Sequence, residues 1–381
     1  MIRNILNNYN IPGVLLEVKQ ISTGNINKTY IVKYNNNGIV KRYLVQKINT
    51  GVFENPYELM QNIENVTNHI KNKLTSINDK EHQVLQVIKT KNNEVLCPIK
   101  ENGEETSYYR IYNFIENSVS YDNSQDSKIV YNTGKAFGNF TKMLSDYPIE
   151  YLNETIKDFH NTKKRYEKFV SDINENKENR VKYVYKEIFE IIKRRKICSL
   201  IIDELISGTI PYRVTHNDTK VNNVMMNKIT GDYLAVIDLD TVMPGSFLFD
   251  YGDGIRSTCS TAKEDETDLT KVSINLSTFK SYTDGYMNEM ANYLKPREVE
   301  LMGESIRIIT LELAIRFLND YINGDTYFKT EYANHNLDRA RNQIALVKDI
   351  ESKLDFINDY IEKSYNKYLK NKIVLKKVVK S

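Results

Sequence analysis

The chain has 381 residues, enough for about two to three domains with sizeable cores, which excludes a peptide hormone or a disulfide knot. Lys+Arg number 53 against 50 Asp+Glu, and a formal net charge of +3 is too balanced to create the broad basic field that a nucleic-acid backbone requires. Hydrophobic residues make up 40% and charged residues 27%, the range of a soluble globular chain, and no apolar run approaches the roughly 20 residues of a membrane span. The three cysteines, Cys97, Cys198 and Cys259, form no CxxC pair, so reduced thiols are expected and thiolate metal sites are not. The opening MIRNILNNYNIPG has neither a basic segment followed by an apolar core nor a small-residue cleavage site. A cytoplasmic protein is expected, a monomer without nucleic-acid or membrane partners.

In chain order, the first stretch alternates as strands do, with Gly24 and the cluster Asn35–Gly38 punctuating IVKY and GIVKRYLVQKI. Pro56 then opens a helix in which Leu59, Met60, Ile63, Val66 and Ile70 recur at helical spacing. Two more strand-like runs, EVLCPI and SYYRIYNFI, lead to Asn117, where the alternation gives way to helical periodicity. Helices are predicted at 128–146, 162–175, 180–207, 264–293, 297–322 and 338–369, interrupted by short strands around RVTHND, VMMN and LAVIDLD. The pattern predicts an α+β chain with a small, β-rich lobe over 1–117 and a large, mostly α-helical lobe over 118–381. The basic end YLKNKIVLKKVVKS reads as a solvated helix terminus and tail.

The segment that carries chemistry is Thr215-His216-Asn217-Asp218-Thr219-Lys220-Val221-Asn222-Asn223, followed by the apolar run Ala235-Val236-Ile237 and Asp238. Its spacing, H-x-D-x-x-x-x-N before a strand that ends in Asp, suits phosphoryl transfer. That reaction needs a carboxylate beside the attacking hydroxyl, here Asp218, and hard oxygen ligands for Mg2+, here Asn223 and Asp238. Helix capping by Asp218 and a turn at Asp238 would leave the joint spacing unexplained. In Leu44-Val45-Gln46-Lys47 the period of two puts Val45 and Lys47 on one face, which predicts Val45 against adenine and Lys47 on the α/β-phosphates of ATP. Glu64 and Glu58 are both placed to orient that lysine. The turn Gly24-Asn25-Ile26-Asn27-Lys28-Thr29 either offers backbone N–H groups to phosphates, with Gly24, Asn25, Asn27 and Thr29 as the nucleotide-side candidates, or is an ordinary hairpin turn, since it carries one glycine where protein kinases carry three.

HNDTKVNNVM, VIDLDTVMPG and FDYGDGIRS together resemble the aminoglycoside-phosphotransferase-like kinases, and most closely the N-acetylhexosamine 1-kinases. GNINKTY, LVQKIN, VFENPYELMQNI, DFHNT and RFLNDYINGDTYFK extend the resemblance, in order, over most of the chain. It implies a bilobal protein-kinase-like fold, with ATP and Mg2+ as cofactors. The implied reaction is phosphorylation of an N-acetylhexosamine (GlcNAc or GalNAc) at its anomeric hydroxyl. An aminoglycoside-, choline- or homoserine-type kinase of the same superfamily is the competing reading, and a pseudokinase is disfavoured because Asp218, Asn223 and Asp238 are all present. The resemblance further implies that Asp250 and His216 support the catalytic loop, that Tyr112–Glu116 forms the hinge, and that Arg316 and His160 contact substrate beside Asp218. Asp240 is either a second metal contact or a turn cap. For Arg316, the competing reading is an intrahelical charge row with Glu312 and Asp320, four residues to either side.

Overall fold

The computed structural model describes residues 2–21, 26–101 and 105–378. The chain forms two compact units, the first from Met1–Ser120, Asp146–Lys157 and Val224–Pro244, the second from Tyr121–Ser145, Asp158–Asn223 and Gly245–Ser381. The change from β to α at 117/118 remains our proposed lobe boundary.

In the first unit a short helix α1 (Ile2–Leu6) precedes strands β1 (Val14–Ile21), β2 (Lys28–Asn36) and β3 (Ile39–Lys47), then helix α2 (Pro56–Ser76) and strands β4 (Val87–Ile88), β5 (Cys97–Glu101) and β6 (Glu105–Asn113). The strands pair antiparallel in the order β1-β2-β3-β6-β4, with β5 also on β6. Asn55 caps α2 through its side-chain oxygen, and Pro56 fills the first turn, where its missing N–H costs nothing. Along β3, Tyr43 and Val45 point to a face whose core includes Val32, Tyr109 and Ile111 together with Ile2, Ile5 and Leu6 of α1. The opposite face looks toward α2, since Arg110 of β6 reaches Met60. A small sheet of Ser118–Val119, Val224–Asn227 and Tyr233–Val236 completes this unit. Asn62 of α2, fully buried, donates to the carbonyls of Asn153 (2.8 Å) and Val242 (3.0 Å), tying the helix to the two distant segments that join the unit.

The second unit is helical: α3 (Ser127–Met143), α4 (Thr162–Glu175), α5 (Tyr185–Ile192), α6 (Leu200–Ile206), α7 (Phe247–Thr258), α8 (Leu276–Met290), α9 (Pro296–Ile322), α10 (His335–Ser352) and α11 (Leu354–Val378). Helix α9 is buried almost all round, as its apolar circumference predicts. Glycines let α3 and α8 approach: a Cβ on Gly134 would lie 2.1 Å from the Tyr282 carbonyl oxygen, and one on Gly285 2.0 Å from that of Tyr131.

Three predicted helices are corrected. The stretch 180–207 breaks into α5 and α6, because Arg194 Nη1 donates to the Glu190 carbonyl and its side chain pairs with Glu190 and Glu351, holding the chain in a turn at Arg195–Ile197. The stretch 264–293 becomes helical only at Leu276, where Asn275 caps the N–H groups of Ser277 and Thr278. The stretch 338–369 divides at Lys353, whose ammonium donates to the Ile274 carbonyl and to Asp349. Helix α7 was not predicted, since two glycines obscure its periodicity.

Candidate functional site

In the second unit, strand Arg213–Thr215 delivers the loop of His216–Asn223. Asp250, in the first turn of α7, accepts the backbone N–H of His216 at Oδ2 and of Asn217 at Oδ1, both at 2.7 Å, and its carbonyl accepts the Thr219 hydroxyl at 2.6 Å. Burial pushes the Asp250 carboxyl up to about 7 against the pull of those two N–H groups. This anchor lets Asn217 adopt the left-handed conformation (φ 64°) that turns the chain at Asp218, a geometry asparagine tolerates better than most residues. His216 is fully buried, edge-on to Phe137 and Phe140, and its Nδ1 accepts the Asp218 N–H. Both residues expected to support the loop are in position to do so.

The Asp218 carboxylate is bracketed. Lys220 Nζ lies 2.7 Å from Oδ1, and Asn223 Nδ2 donates to Oδ2 at 3.0 Å and to the Asp218 carbonyl at 2.8 Å. Burial alone would raise its pKa, but Lys220, then His216 and Asn223, hold the carboxyl below the usual range, so it is ionised at neutral pH. With the Asn223 amino group turned to Asp218, Oδ1 is the end of that amide left to ligate a hard cation. Lys220 carried no role in the sequence reading; its place two residues after the H-x-D position was the available signal.

His160 precedes α4 with both ring nitrogens engaged, Nδ1 2.8 Å from Glu312 Oε1 and Nε2 3.2 Å from the Asn217 carbonyl, while its ring stacks on Phe249 at 5.4 Å. It thus links α9 to the loop beside Asp218. Glu312, fully buried, also accepts the Thr162 hydroxyl and lies 3.7 Å from Arg165. Burial opposes its ionisation, but His160, Arg165 and Arg316 keep it low. The competing charge row along α9 forms no ion pair among the described residues, although Arg316 acts on Glu312 through its charge: Glu312 faces His160, and Asp320 accepts the N–H groups of Thr326, Tyr327 and Phe328. The Arg316 guanidinium sits instead among three rings, 5.5 Å from Phe159, 5.9 Å from Tyr327 and 5.4 Å from Phe328.

In the first unit, Asp238 follows the strand Tyr233–Val236 in a left-handed conformation (φ 58°). Two residues on, Asp240 is buried and forms a two-pronged pair with Arg110, Nη1 to Oδ1 at 2.6 Å and Nη2 to Oδ2 at 2.8 Å. Asn27 Nδ2 also donates to Asp240 Oδ2 at 2.6 Å, while its Oδ1 accepts the Asn49 N–H at 3.0 Å. Asp240 is therefore neither a turn cap nor isolated. Gln46 sits between Thr29 and Arg110, donating to the first at 3.2 Å and accepting from the second at 3.0 Å. Lys47 shares the opposite face with Val45, 5.9 Å from the Tyr109 ring centroid. Val45 is fully buried in the core that includes α1, which corrects the expectation that it touches adenine. Glu64 pairs with Lys89 at 2.8 Å. Gly24 and Asn25 lie outside the described residues. Arg110 was missed in the sequence, although an arginine within the alternating run SYYRIYNFI was a legible signal. Among the described residues no group of three or more His, Cys, Asp or Glu is placed to hold an ion.

An antiparallel-sheet unit and a helical unit carrying an H-x-D-x-x-x-x-N loop define a kinase-like phosphotransferase fold. The phosphotransferase enzyme family (APH) matches residues 17–270, and the chain belongs to that family. Its fold is similar to that of a microcompartment-associated aminopropanol kinase, at 12% identity over 94% of this chain and 98% of that one, with a TM-score of 0.61. It is also similar to an amicoumacin kinase in complex with AMP-PNP, Ca2+ and Ami, at 12% identity over 92% of each chain, with a TM-score of 0.59. A choline kinase from Cryptosporidium parvum Iowa II matches at 15% identity over 98% of this chain and 95% of that one, with a TM-score of 0.50. No helix among the described residues is long and apolar enough to cross a membrane.

Proposed function

We propose that the protein transfers the γ-phosphoryl group of ATP to the anomeric (C1) hydroxyl of an N-acetylhexosamine. Asp218 takes the hydroxyl proton or orients the hydroxyl, the C1 oxygen bonds to the γ-phosphorus, the bridge to the β-phosphate breaks, and ADP leaves. The observation that carries this reading is the Asp218 carboxylate, kept ionised by Lys220 and Asn223 in a loop pinned by Asp250. Asn223 Oδ1 and Asp238 are the proposed Mg2+ ligands, and the ion would supply Lewis-acid stabilisation of the phosphate charge.

The choice of a neutral acceptor over the amino alcohols and aminoglycosides of related kinases has its own support. Phe159, Tyr327 and Phe328 form the kind of ring cluster that binds a substrate ammonium, but here it surrounds the chain's own Arg316. Arg165, itself made less basic by burial and by Arg316, adds a second positive group. A cationic substrate would meet like charge there, whereas hydroxyl and acetamido oxygens are natural acceptors for guanidinium donors. The test is ATP, Mg2+ and a panel of GlcNAc, GalNAc, an aminoglycoside, choline, aminopropanol and homoserine, with NMR assignment of the phosphorylated carbon. Phosphorylation at C1 of the hexosamines is expected. Turnover of choline or aminopropanol in preference to the sugars would replace this reading with the amino-alcohol one.

A further inference from the structure

Lys47, at the end of β3, and Arg110, in the neighbouring part of β6, are two cations that the sheet register separates. Lys47 opposes Tyr109 and Gln46 opposes Arg110, so the two positive groups emerge on opposite faces. On Lys47's face stands the core built with α1. On the Arg110 face are Met60 of α2 and, at the end of the 238–240 segment, the Asp240 carboxylate. Arg110 is 1% exposed, and burying a guanidinium with a carboxylate is costly enough that stability alone is a poor reason to keep the pair.

Its surroundings suggest another reason. Gln46 holds Nε, Asp240 Oδ2 accepts from Nη2 while its Oδ1 lies 2.6 Å from Nη1, and Tyr112 lies 5.1 Å under the guanidinium carbon. Asn27, in the turn before β2, reaches the same carboxylate and is itself bound by the Asn49 N–H. One planar cation thus joins the turn expected over the phosphates, the strand beside the hinge, and the segment that carries the proposed metal ligand Asp238. Five fixed donors suit oxygens of a polyphosphate as well as those of a carboxylate.

We propose that Arg110, rather than Lys47, is the cation that meets the phosphate–metal group of the nucleotide in the first unit, with Gln46 setting its plane and Asp240 as its partner when no nucleotide is bound. This inference rests on the ATP reading given above. The test titrates the full-length protein with MgATP and with adenosine, which lacks the phosphates. Wild type, Arg110→Lys, Arg110→Met combined with Asp240→Asn, and Lys47→Met are compared, and the paired substitution avoids leaving a lone buried carboxylate. Removal of Arg110 should weaken MgATP by about tenfold or more while leaving adenosine nearly unchanged, and Arg110→Lys should recover part of the loss. Adding Gln46→Lys to the Arg110-free variant should restore MgATP affinity, because that position faces the same way. Equal weakening of MgATP and adenosine would make Arg110 a structural residue and overturn the inference. A phosphate-selective loss in Lys47→Met larger than that in the Arg110-free variant would overturn it in favour of the lysine. If wild type bound no MgATP at all, the ATP reading would fall together with it.

Discussion

Asp218 shows how one side chain is set by its neighbours in sequence for the role proposed for it. Lys220 and Asn223 act through their charge and amide, and the sign of the effect is clear: a carboxyl held below its ordinary pKa is ionised across the neutral range. Ionisation of Asp218 itself should limit kcat/KM only below the usual carboxylate range of about 4, whereas Asp250, whose carboxyl burial pushes up to about 7, should weaken its hold on the loop as the pH falls through that value. An acid limb with its midpoint near pH 6 that persisted in Asp250→Asn would remove Asp218 from the role of base. Asp218→Asn should retain MgATP binding and lose about 10²–10⁴ in kcat, and near wild-type turnover would exclude it. Glu312 offers a stability counterpart. Its carboxyl is held low by His160, Arg165 and Arg316, so the stability it adds is present above the ordinary carboxylate pKa and is lost as pH falls through the folded value. Glu312→Gln removes the fully buried carboxylate that His160, Arg165 and Arg316 face, and about 3–5 kcal/mol should be lost near pH 7. The Tm gap between the two proteins should narrow at pH 4; a gap that widens there would show that Glu312 is not the ionised partner.

At the scale of elements, close approach and register decide more than propensity does. The α3–α8 contact depends on glycines that leave room for carbonyl oxygens of the facing helix, with Gly285 against Tyr131 and Gly134 against Tyr282. Gly285→Ala places a methyl group where no atom fits, and although it favours the helix by about 1 kcal/mol in propensity, overpacking should cost about 1–3 kcal/mol. Thermal unfolding would read this directly, and a Tm equal to or above wild type would mean that the helices can part without cost. The helices themselves were largely legible. Helix α4 spans Thr162–Glu175 as its periodicity predicts, because its start is set by the Asn161 cap, a neighbour in sequence. The breaks at 193–199 and at Lys353 were not legible, since they depend on partners such as Glu351 and Ile274 that lie far along the chain.

For the whole molecule, the reading as a metal-dependent kinase of a neutral sugar has two consequences. Chelation should abolish turnover, and Mg2+ should restore it; full activity in excess EDTA would rule out Asn223 and Asp238 as functional ligands. Arg316→Lys should raise KM for the hexosamine or lower kcat at unchanged MgATP affinity, because an ammonium keeps the charge and loses the planar fork. A variant that lost only Tm, with unaltered sugar kinetics, would return Arg316 to a role in holding Phe159, Tyr327 and Phe328 together.

The sequence by itself determined the order of a β-rich part before a helical part, the loop that presents Asp218 and Asn223, and the strand that ends near Asp238. These follow from periods of 2 and 3.6 and from turn chemistry, which are properties of residues close together in the chain. It also separated the two faces of β3, since alternation alone puts Gln46 opposite to Lys47. Which face carries α1 and which looks toward α2 was decided only by packing. The pairs that carry the remaining detail join residues 64 apart in Arg110–Gln46, 130 apart in Arg110–Asp240 and 152 apart in His160–Glu312. No local pattern specifies such partners, because a buried charge takes whichever opposite group the folded chain brings within hydrogen-bond distance.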